Sequence, residues 1–183
     1  FIALAKSKPG QINYAASGNG TLNHIAGELL KSMARIDIVH VPYKNVAPAM
    51  IDVVGGQVQM FLTLPSLALG HVQAGRVRGL GVTSLQRTPF APDLPTLAES
   101  GLPGYELIGW NGLLAPAGTP RTVVSRINAE VQRSLKQPDV LQRLKDSTYE
   151  PAAANTPEQF AEYIKREIAK WTKLVKETGM KVD

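Results

Sequence analysis

Apolar positions along this 183-residue chain alternate between two spacings, and their order predicts strands and helices by turns. A short helix opens the chain and ends at Pro9-Gly10. Beyond it, the spacing predicts strands at 13–16, 37–41, 58–63 and 78–83, and helices at 22–34, 47–54 and 65–74. Such regular exchange is typical of an α/β protein with a parallel sheet.

The helix predicted for 22–34 has the clearest apolar face. Its apolar residues recur at intervals of three and four, as expected for one buried side of a helix. They are Leu22, Ile25, Ala26, Leu29, Leu30 and Met33. We expect this face to pack on the sheet.

The character of the chain changes after residue 88. Prolines at 89, 92, 95 and 103 predict a surface loop over 88–104 with one short helical turn, and a further strand is predicted for 106–115. The rest is predicted as helix, with starts at Thr119-Pro120, at Pro138 and at Thr156-Pro157. The last start is a capping box closed by Gln159. The apolar stripes of these helices need a partner surface.

Composition narrows the functional classes. Hydrophobic residues make up 44% of the chain, enough for a core, and the net charge of +5 is spread out rather than clustered. Because no basic run is interleaved with aromatics, a nucleic-acid partner is not predicted. The absence of cysteine excludes disulfides, thiolate metal sites and a cysteine nucleophile. No apolar run approaches the roughly 20 residues of a membrane span. The chain opens on Phe1 within a predicted helix, so we expect that an N-terminal part is missing.

The most informative motif lies between the first strand and helix 22–34. It consists of Ser17, Gly18, Asn19, Gly20 and Thr21. Glycine permits positive φ and close approach to a ligand, and the first N–H groups of a helix attract anions. The motif therefore predicts a seat for a small anion. It is equally explained as a turn with a helix cap, and from these residues alone both interpretations stay open.

Two further strand ends carry polar residues. Tyr43 and Lys44 follow the second strand, and Thr63 and Ser66 follow the third. Ligands of open α/β sheets bind outside the carboxyl ends of the strands. The three ends together therefore predict a binding cleft, to which His24 on the first turn of the helix is a candidate contributor.

The residues offer little for catalysis or for a metal. His24, His40 and His71 lack metal-ligand spacing, and Ser17 stands in no G-x-S-x-G elbow and has no convincing acid for a triad. The loop lacks the G-K-[ST] of a phosphate-binding loop, and Asn23 stands where the third glycine of G-x-G-x-x-G belongs. We predict no catalytic residue, no metal and no cofactor.

Ordered motifs along the chain resemble the Bug/TctC family of periplasmic solute-binding receptors. The resemblance begins with Asn13-Tyr14-Ala15-Ala16-Ser17-Gly18-Asn19-Gly20-Thr21, followed by His24, by Ala26-Gly27-Glu28-Leu29 and by Val41-Pro42-Tyr43-Lys44. Further landmarks lie at 55–58, 74–78, 82–84, 93–99, 101–106 and 112–120, and in the helix that carries Trp171. The similarity covers essentially all 183 residues.

The resemblance implies a periplasmic-binding-protein fold of the type II-like, Venus-flytrap kind, with one complete lobe and the C-terminal helical part of the other. Residues 1–107 would form the second lobe, and 108–183 the crossover strand and helices of the first lobe, whose N-terminal part would be absent. The implied function is capture of a small carboxylate, without catalysis, for the membrane components of a tripartite tricarboxylate transporter. The implied location is the periplasm, with the signal peptide outside this chain.

The expected ligand-binding residues combine the loop with the other strand ends: Ser17, Gly18, Asn19, Gly20, Thr21, His24, Tyr43 and Thr63. Two positions depart from the family pattern: Asn45 replaces a common glycine, and Thr63 stands where Asp or Asn is frequent. Thr63 thereby removes a charge that could pair with a ligand amine. Two alternatives remain: an α/β hydrolase or transferase with loop 17–21 as an oxyanion hole, and a sensor domain of a signalling system.

Overall fold

The computed structural model describes residues 1–181, and these contain seven helices and three strands. The helices are α1 (Ile2–Ser7), α2 (Leu22–Ala34), α3 (Val46–Val54), α4 (Pro65–Gln73), α5 (Arg121–Ser134), α6 (Pro138–Asp146) and α7 (Pro157–Thr178). The strands are β1 (Asn13–Ala16), β2 (Val39–Pro42) and β3 (Met60–Phe61). The elements up to α4 therefore follow the predicted order of strands and helices.

The three strands form one parallel sheet in the order β2-β1-β3. Asn13 pairs with Val39 and Tyr14 with Met60, which fixes the register on both sides of β1. Since β1 is central, three of its four residues, Tyr14, Ala15 and Ala16, are fully buried. All three strands point the same way, so their carboxyl ends lie at one edge of the sheet.

Helix α2 packs very closely on β1. A Cβ atom added to Gly27 would lie 2.2 Å from Cε2 of Tyr14, so only glycine leaves room for that ring. Tyr105 is also fully buried, and its hydroxyl donates to the backbone oxygen of Ala26 at 2.9 Å. These contacts fix the helix, and with it the loop that precedes it, against the central strand.

Two predicted strands, 78–83 and 106–115, are not strands in the structure, and the prediction was wrong there. Val82 makes an isolated bridge to Thr96 instead of joining the sheet. Pro95, which precedes Thr96, has no N–H to donate, so the pairing cannot extend from this bridge towards residue 80. In the second segment Leu107 donates to Thr83 at 3.0 Å, and the chain then continues without regular structure. The single helical turn predicted within 88–104 lies at 96–100, where Ser100 N–H donates to Thr96 O at 3.0 Å and Thr96 and Glu99 exchange capping bonds.

The chain divides into two compact units, residues 1–109 with residues 174–181, and residues 110–173. The first unit contains the sheet. The second contains α5, α6 and most of α7. The capping box predicted for the start of α7 is confirmed. Thr156 N–H donates to Gln159 Oε1 at 2.8 Å, and Gln159 N–H donates to Thr156 Oγ1 at 3.2 Å. Ile127 of α5 and Ile168 of α7, both on the apolar stripes of their helices, are 46% and 61% exposed. The division at residue 107 into two lobes stays a prediction.

Candidate functional site

The carboxyl ends of the three strands bring three predicted site residues to one edge of the sheet. Ser17 directly follows β1, Tyr43 follows β2, and Thr63 lies two residues after β3. The N–H of Tyr43 donates to Ala16 O at 2.7 Å, which ties the ends of β1 and β2 together. The three strand ends therefore meet at one edge of the sheet, as predicted, and the binding cleft itself stays a prediction.

Loop 17–21 is held by contacts within itself. Gly18 and Gly20 have φ values of 120° and 71°, a region that side chains disfavour. Thr21 Oγ1 donates to Gly18 O at 2.8 Å, and Asn19 is half-buried in the same loop. The glycines are thus required by the backbone path and not only by a sequence preference for turns.

The loop leads into the N-terminus of α2. The first bond of the helix runs from Ile25 N–H to Thr21 O at 2.9 Å, so the N–H groups of residues 22–24 have no acceptor within the helix. Thr21 is the residue before the helix, but its side chain makes no capping bond there. The helix dipole places partial positive charge at this end, and that charge favours an anion.

Asn23 links two strand ends, although sequence reasoning gave it no role. Its Oδ1 accepts from Ser17 Oγ at 2.9 Å, and its Nδ2 donates to Leu62 O beyond β3. The bonds on both ends of its amide hold the loop to the third strand. Nothing in the local sequence signals this, because the partner carbonyl lies 39 residues away.

His24 lies beneath the loop and not at its surface. It is 5% exposed, and its Nδ1 accepts from Gly20 N–H at 3.1 Å. Its ring stacks on that of His40 with centroids 3.9 Å apart and an angle of 11° between the planes. His24 and Gly20, both predicted ligand contacts, therefore contact each other.

A buried polar network lies behind the two imidazoles. Glu28 is 7% exposed, and its Oε1 accepts from Tyr14 OH at 2.7 Å and from Lys31 Nζ at 2.9 Å. Burial, followed by the hydrogen bond to Glu28, raises the pKa of Tyr14. Burial lowers the pKa of His24, and burial together with the neighbouring His24 lowers the pKa of His40 to about 4. Both imidazoles are therefore neutral at pH 7.

The side chains after β2 have local partners. Tyr43 OH donates to Asp52 Oδ2 at 2.7 Å, and this bond is the main reason that the pKa of Tyr43 rises to about 12. Asn45 caps α3, since its Oδ1 accepts from Ala47 N–H at 3.1 Å. That role explains a polar residue at this position. Lys44 is exposed.

Thr63 differs from the other site residues because its hydroxyl oxygen is buried without a hydrogen-bond partner. An unpaired buried hydroxyl is costly, and a bound ligand or water can satisfy it. Ser17, in contrast, donates to an amide oxygen and not to an imidazole. The arrangement therefore supplies hydrogen bonds and a helix end, without a serine–histidine pair.

Within residues 1–181, no group of three or more His, Asp or Glu side chains is placed to hold a metal ion. None of the helices in this part of the chain combines the length and apolar character needed to cross a bilayer.

The family model described as "Tripartite tricarboxylate transporter family receptor" matches residues 1–180. The chain belongs to this family of solute-binding receptors. Two similar curated relatives are a protein from the tcbD-tcbE intergenic region of a Pseudomonas species and BugT of Bordetella pertussis. The Pseudomonas protein is 42% identical to this chain, and the match covers 97% of this chain and 53% of the relative. BugT is 31% identical, and the match covers 100% of this chain and 56% of BugT. The chain thus spans about half the length of these relatives.

Solved structures of similar proteins agree with the fold. An R. palustris protein with adipate is 34% identical to this chain, with a TM-score of 0.81. The match covers 100% of this chain and 60% of that protein. The periplasmic binding protein BugD is 33% identical with a TM-score of 0.79, and the match covers 100% of this chain and 61% of BugD. MatC from Rhodopseudomonas palustris with bound malate is 33% identical with a TM-score of 0.75, and the match covers 96% of this chain and 60% of MatC. The resemblance to Bug/TctC receptors and the predicted α/β, periplasmic-binding-protein fold class are confirmed.

Proposed function

We propose that the protein is an extracytoplasmic receptor that captures a small carboxylate and presents it to the membrane components of a tripartite tricarboxylate transporter. The observation that carries the proposal is loop 17–21, held in a left-handed glycine conformation at the start of α2 and at the carboxyl edge of a parallel sheet. Family relatives bound to adipate and malate support a carboxylate as the ligand class.

We infer the binding set from the positions and hydrogen bonds of the individual groups. Ser17, Gly18, Asn19 and Thr21 would face the carboxylate from the loop, and Thr63 would use its unpaired hydroxyl. Tyr43 would border the site while its hydroxyl stays on Asp52. In this proposal, Gly20 and His24 support the loop from within. Closure of a second lobe on the ligand would then create the surface read by the transporter.

The enzyme alternative has no support in the site. Ser17 Oγ is engaged with Asn23, and the buried imidazoles face each other and the loop backbone instead of a nucleophile. A receptor for carboxylates leaves its ligand unchanged. Chemical analysis of the ligand after incubation therefore separates the two functions.

The test measures the binding of adipate and malate to the native polypeptide that carries this chain, by isothermal titration calorimetry. Thr21→Val keeps the shape of the side chain but removes the hydroxyl, and Thr21→Ser keeps the hydroxyl. In the structure the Thr21 hydroxyl donates its one proton to Gly18 O, so its loss acts on binding through the conformation of the loop. The loss of one such hydrogen bond corresponds to about tenfold in the dissociation constant. We therefore expect about tenfold weaker binding for Thr21→Val and, on the same scale, less than about threefold for Thr21→Ser.

The control ligand is adipamide, which has the length of adipate but no charge, and should bind far more weakly. If neither adipate, malate nor another small carboxylate of a panel binds, the receptor proposal is overturned. If a panel member is bound and chemically converted, the enzyme alternative replaces it.

A further inference from the structure

The bond between the loop and His24 defines the protonation state of the imidazole. Gly20 N–H is a donor, so His24 Nδ1 must carry a lone pair to accept it at 3.1 Å. A protonated imidazole is a donor at both nitrogens and cannot make this bond. The loop conformation with Gly20 at φ 71° is therefore linked to a neutral His24.

The second ring makes charging of the pair costly. His40 stacks on His24 at 3.9 Å, and its Nε2 is buried without a hydrogen-bond partner. Two positive charges at this separation repel, and burial weakens the screening by water. The rings must therefore be treated as one titrating pair.

Few other titratable groups face the two rings. Tyr14 from β1 lies beside His40, with ring centroids 5.3 Å apart. From α2, Glu28 favours protonation of both rings by its charge, and Lys31 opposes it. Glu28 Oε1 already accepts from both Tyr14 and Lys31, so it is not available as a full counter-ion for an imidazolium.

We propose that His24 is a positioning residue for loop 17–21, and that protonation of the His24–His40 pair releases the loop and lowers the affinity for a carboxylate. The inference rests on the proposed function, since it describes how the same site is held. Capture at neutral pH and release in acid follow from it. Below the pKa of the pair, the affinity falls by about tenfold for each pH unit.

Two variants separate the acceptor from the ring. His24→Asn places an amide oxygen close to the position of Nδ1, where it can accept from Gly20 but cannot be protonated in this range. His24→Phe keeps a ring for stacking on His40 but has no acceptor. We expect the His24→Asn variant to bind adipate at pH 7 about as well as the native protein does. The His24→Phe variant should bind adipate weakly at every pH.

The pH profile decides the role. Between pH 7 and pH 4, the affinity for adipate should fall more steeply with His24 than with His24→Asn. Protonation of adipate itself affects both proteins equally and cancels in the ratio of their dissociation constants. If His24→Asn shows the same acid loss as the native protein, release by protonation is overturned. If His24→Phe binds adipate at pH 7 as well as the native protein does, the positioning role is overturned.

A second measurement needs no ligand. In ¹⁵N-labelled protein without ligand, the amide shift of Gly20 should follow the titration of His24, and should become independent of pH in His24→Asn. If Gly20 titrates in this way but no carboxylate binds at neutral pH, the proposed function fails and the positioning role stands. If His24 titrates while the Gly20 amide stays unchanged, the link between the pair and the loop is overturned. The native spectrum alone decides this even if a variant does not fold.

Discussion

At the scale of single residues, two tyrosine–carboxylate hydrogen bonds of equal length lie in different surroundings. Tyr14 and Glu28 are 0% and 7% exposed, whereas Tyr43 and Asp52 are partly accessible to water. Each hydroxyl donates at 2.7 Å. The difference in burial, and not the distance, should decide what each bond contributes, because water can replace a lost partner only where it has access.

Phenylalanine substitutions test this directly. Tyr14→Phe should lower the free energy of unfolding by about 2 kcal/mol, since a buried carboxylate loses a donor. Tyr43→Phe, the matched control, should cost about 0.5 kcal/mol. Urea denaturation without ligand measures both. Equal costs would contradict the argument from burial.

The sequence predicted where the candidate site residues lie in the chain, but not which groups they contact. Glycines and hydroxyls at a strand–helix junction locate loop 17–21 by local rules. The partners of Asn23 and His24 could not be predicted in this way. The carbonyl of Leu62 and the ring of His40 reach them only through the pairing of β1 with its neighbours. Such contacts depend on the tertiary fold and leave no local signal.

At the scale of elements, α2 lies against β1 at a distance that depends on Gly27. Gly27→Ala would place its Cβ 2.2 Å from the Tyr14 ring and force the helix or the ring to move. Overpacking of this kind costs about 2–3 kcal/mol, against a gain of about 1 kcal/mol in helix propensity. We expect a net loss of about 1–2 kcal/mol in urea denaturation.

Gly70 supplies the control, because it lies inside α4 and nothing stands within 4 Å of an added Cβ. Gly70→Ala should be neutral or stabilise the protein by up to about 1 kcal/mol. A destabilisation of the same size at both positions would show that close packing at Gly27 is not the cause.

The helices were predicted well and the strands less well. Helix α2 was predicted at its observed bounds because its apolar spacing agrees with the glycine-rich loop that precedes it. The apolar run at 58–63 forms only the two-residue strand Met60–Phe61, and 78–83 pairs with the proline-rich loop. Whether a short apolar run joins a sheet depends on what lies beside it, and spacing along the chain does not contain that information.

At the scale of the whole molecule, the stacked imidazoles of His24 and His40 should make stability depend on pH. The pKa of His40 is about 4 in the folded protein, against an ordinary value of 6.5, and that of His24 is also lowered. The unfolded chain therefore binds protons first as the pH falls. Stability is fully present above about pH 6.5 and is lost towards pH 4, by about 3 kcal/mol from His40 and by a further amount from His24.

Thermal unfolding between pH 7.5 and pH 4 measures the effect, and His40→Phe keeps a ring in the stack while removing one titrating group. The slope of stability between pH 6.5 and pH 4.5 should be smaller in this variant. Glu99, whose pKa is lowered from 4.5 chiefly by its bond from Thr96 N–H, adds acid dependence only below about pH 4.5 in both proteins. An unchanged slope above that pH would exclude the imidazoles as its source.

The central position of β1 also has a consequence for folding. Loop 17–21 follows β1, and both strands that pair with β1 come later in the chain. In β1, Asn13 N–H donates to Gln59 Oε1, which lies 46 residues further along the chain. Parallel pairing over such a span pays the entropy of closing long loops before it gains contacts, and is therefore slow. Helix α2 can form early from local contacts alone. The bond from Asn23 to Leu62 O can form only when the β3 segment is in place, so we expect ligand-binding competence to be among the last properties of this unit to appear as it folds.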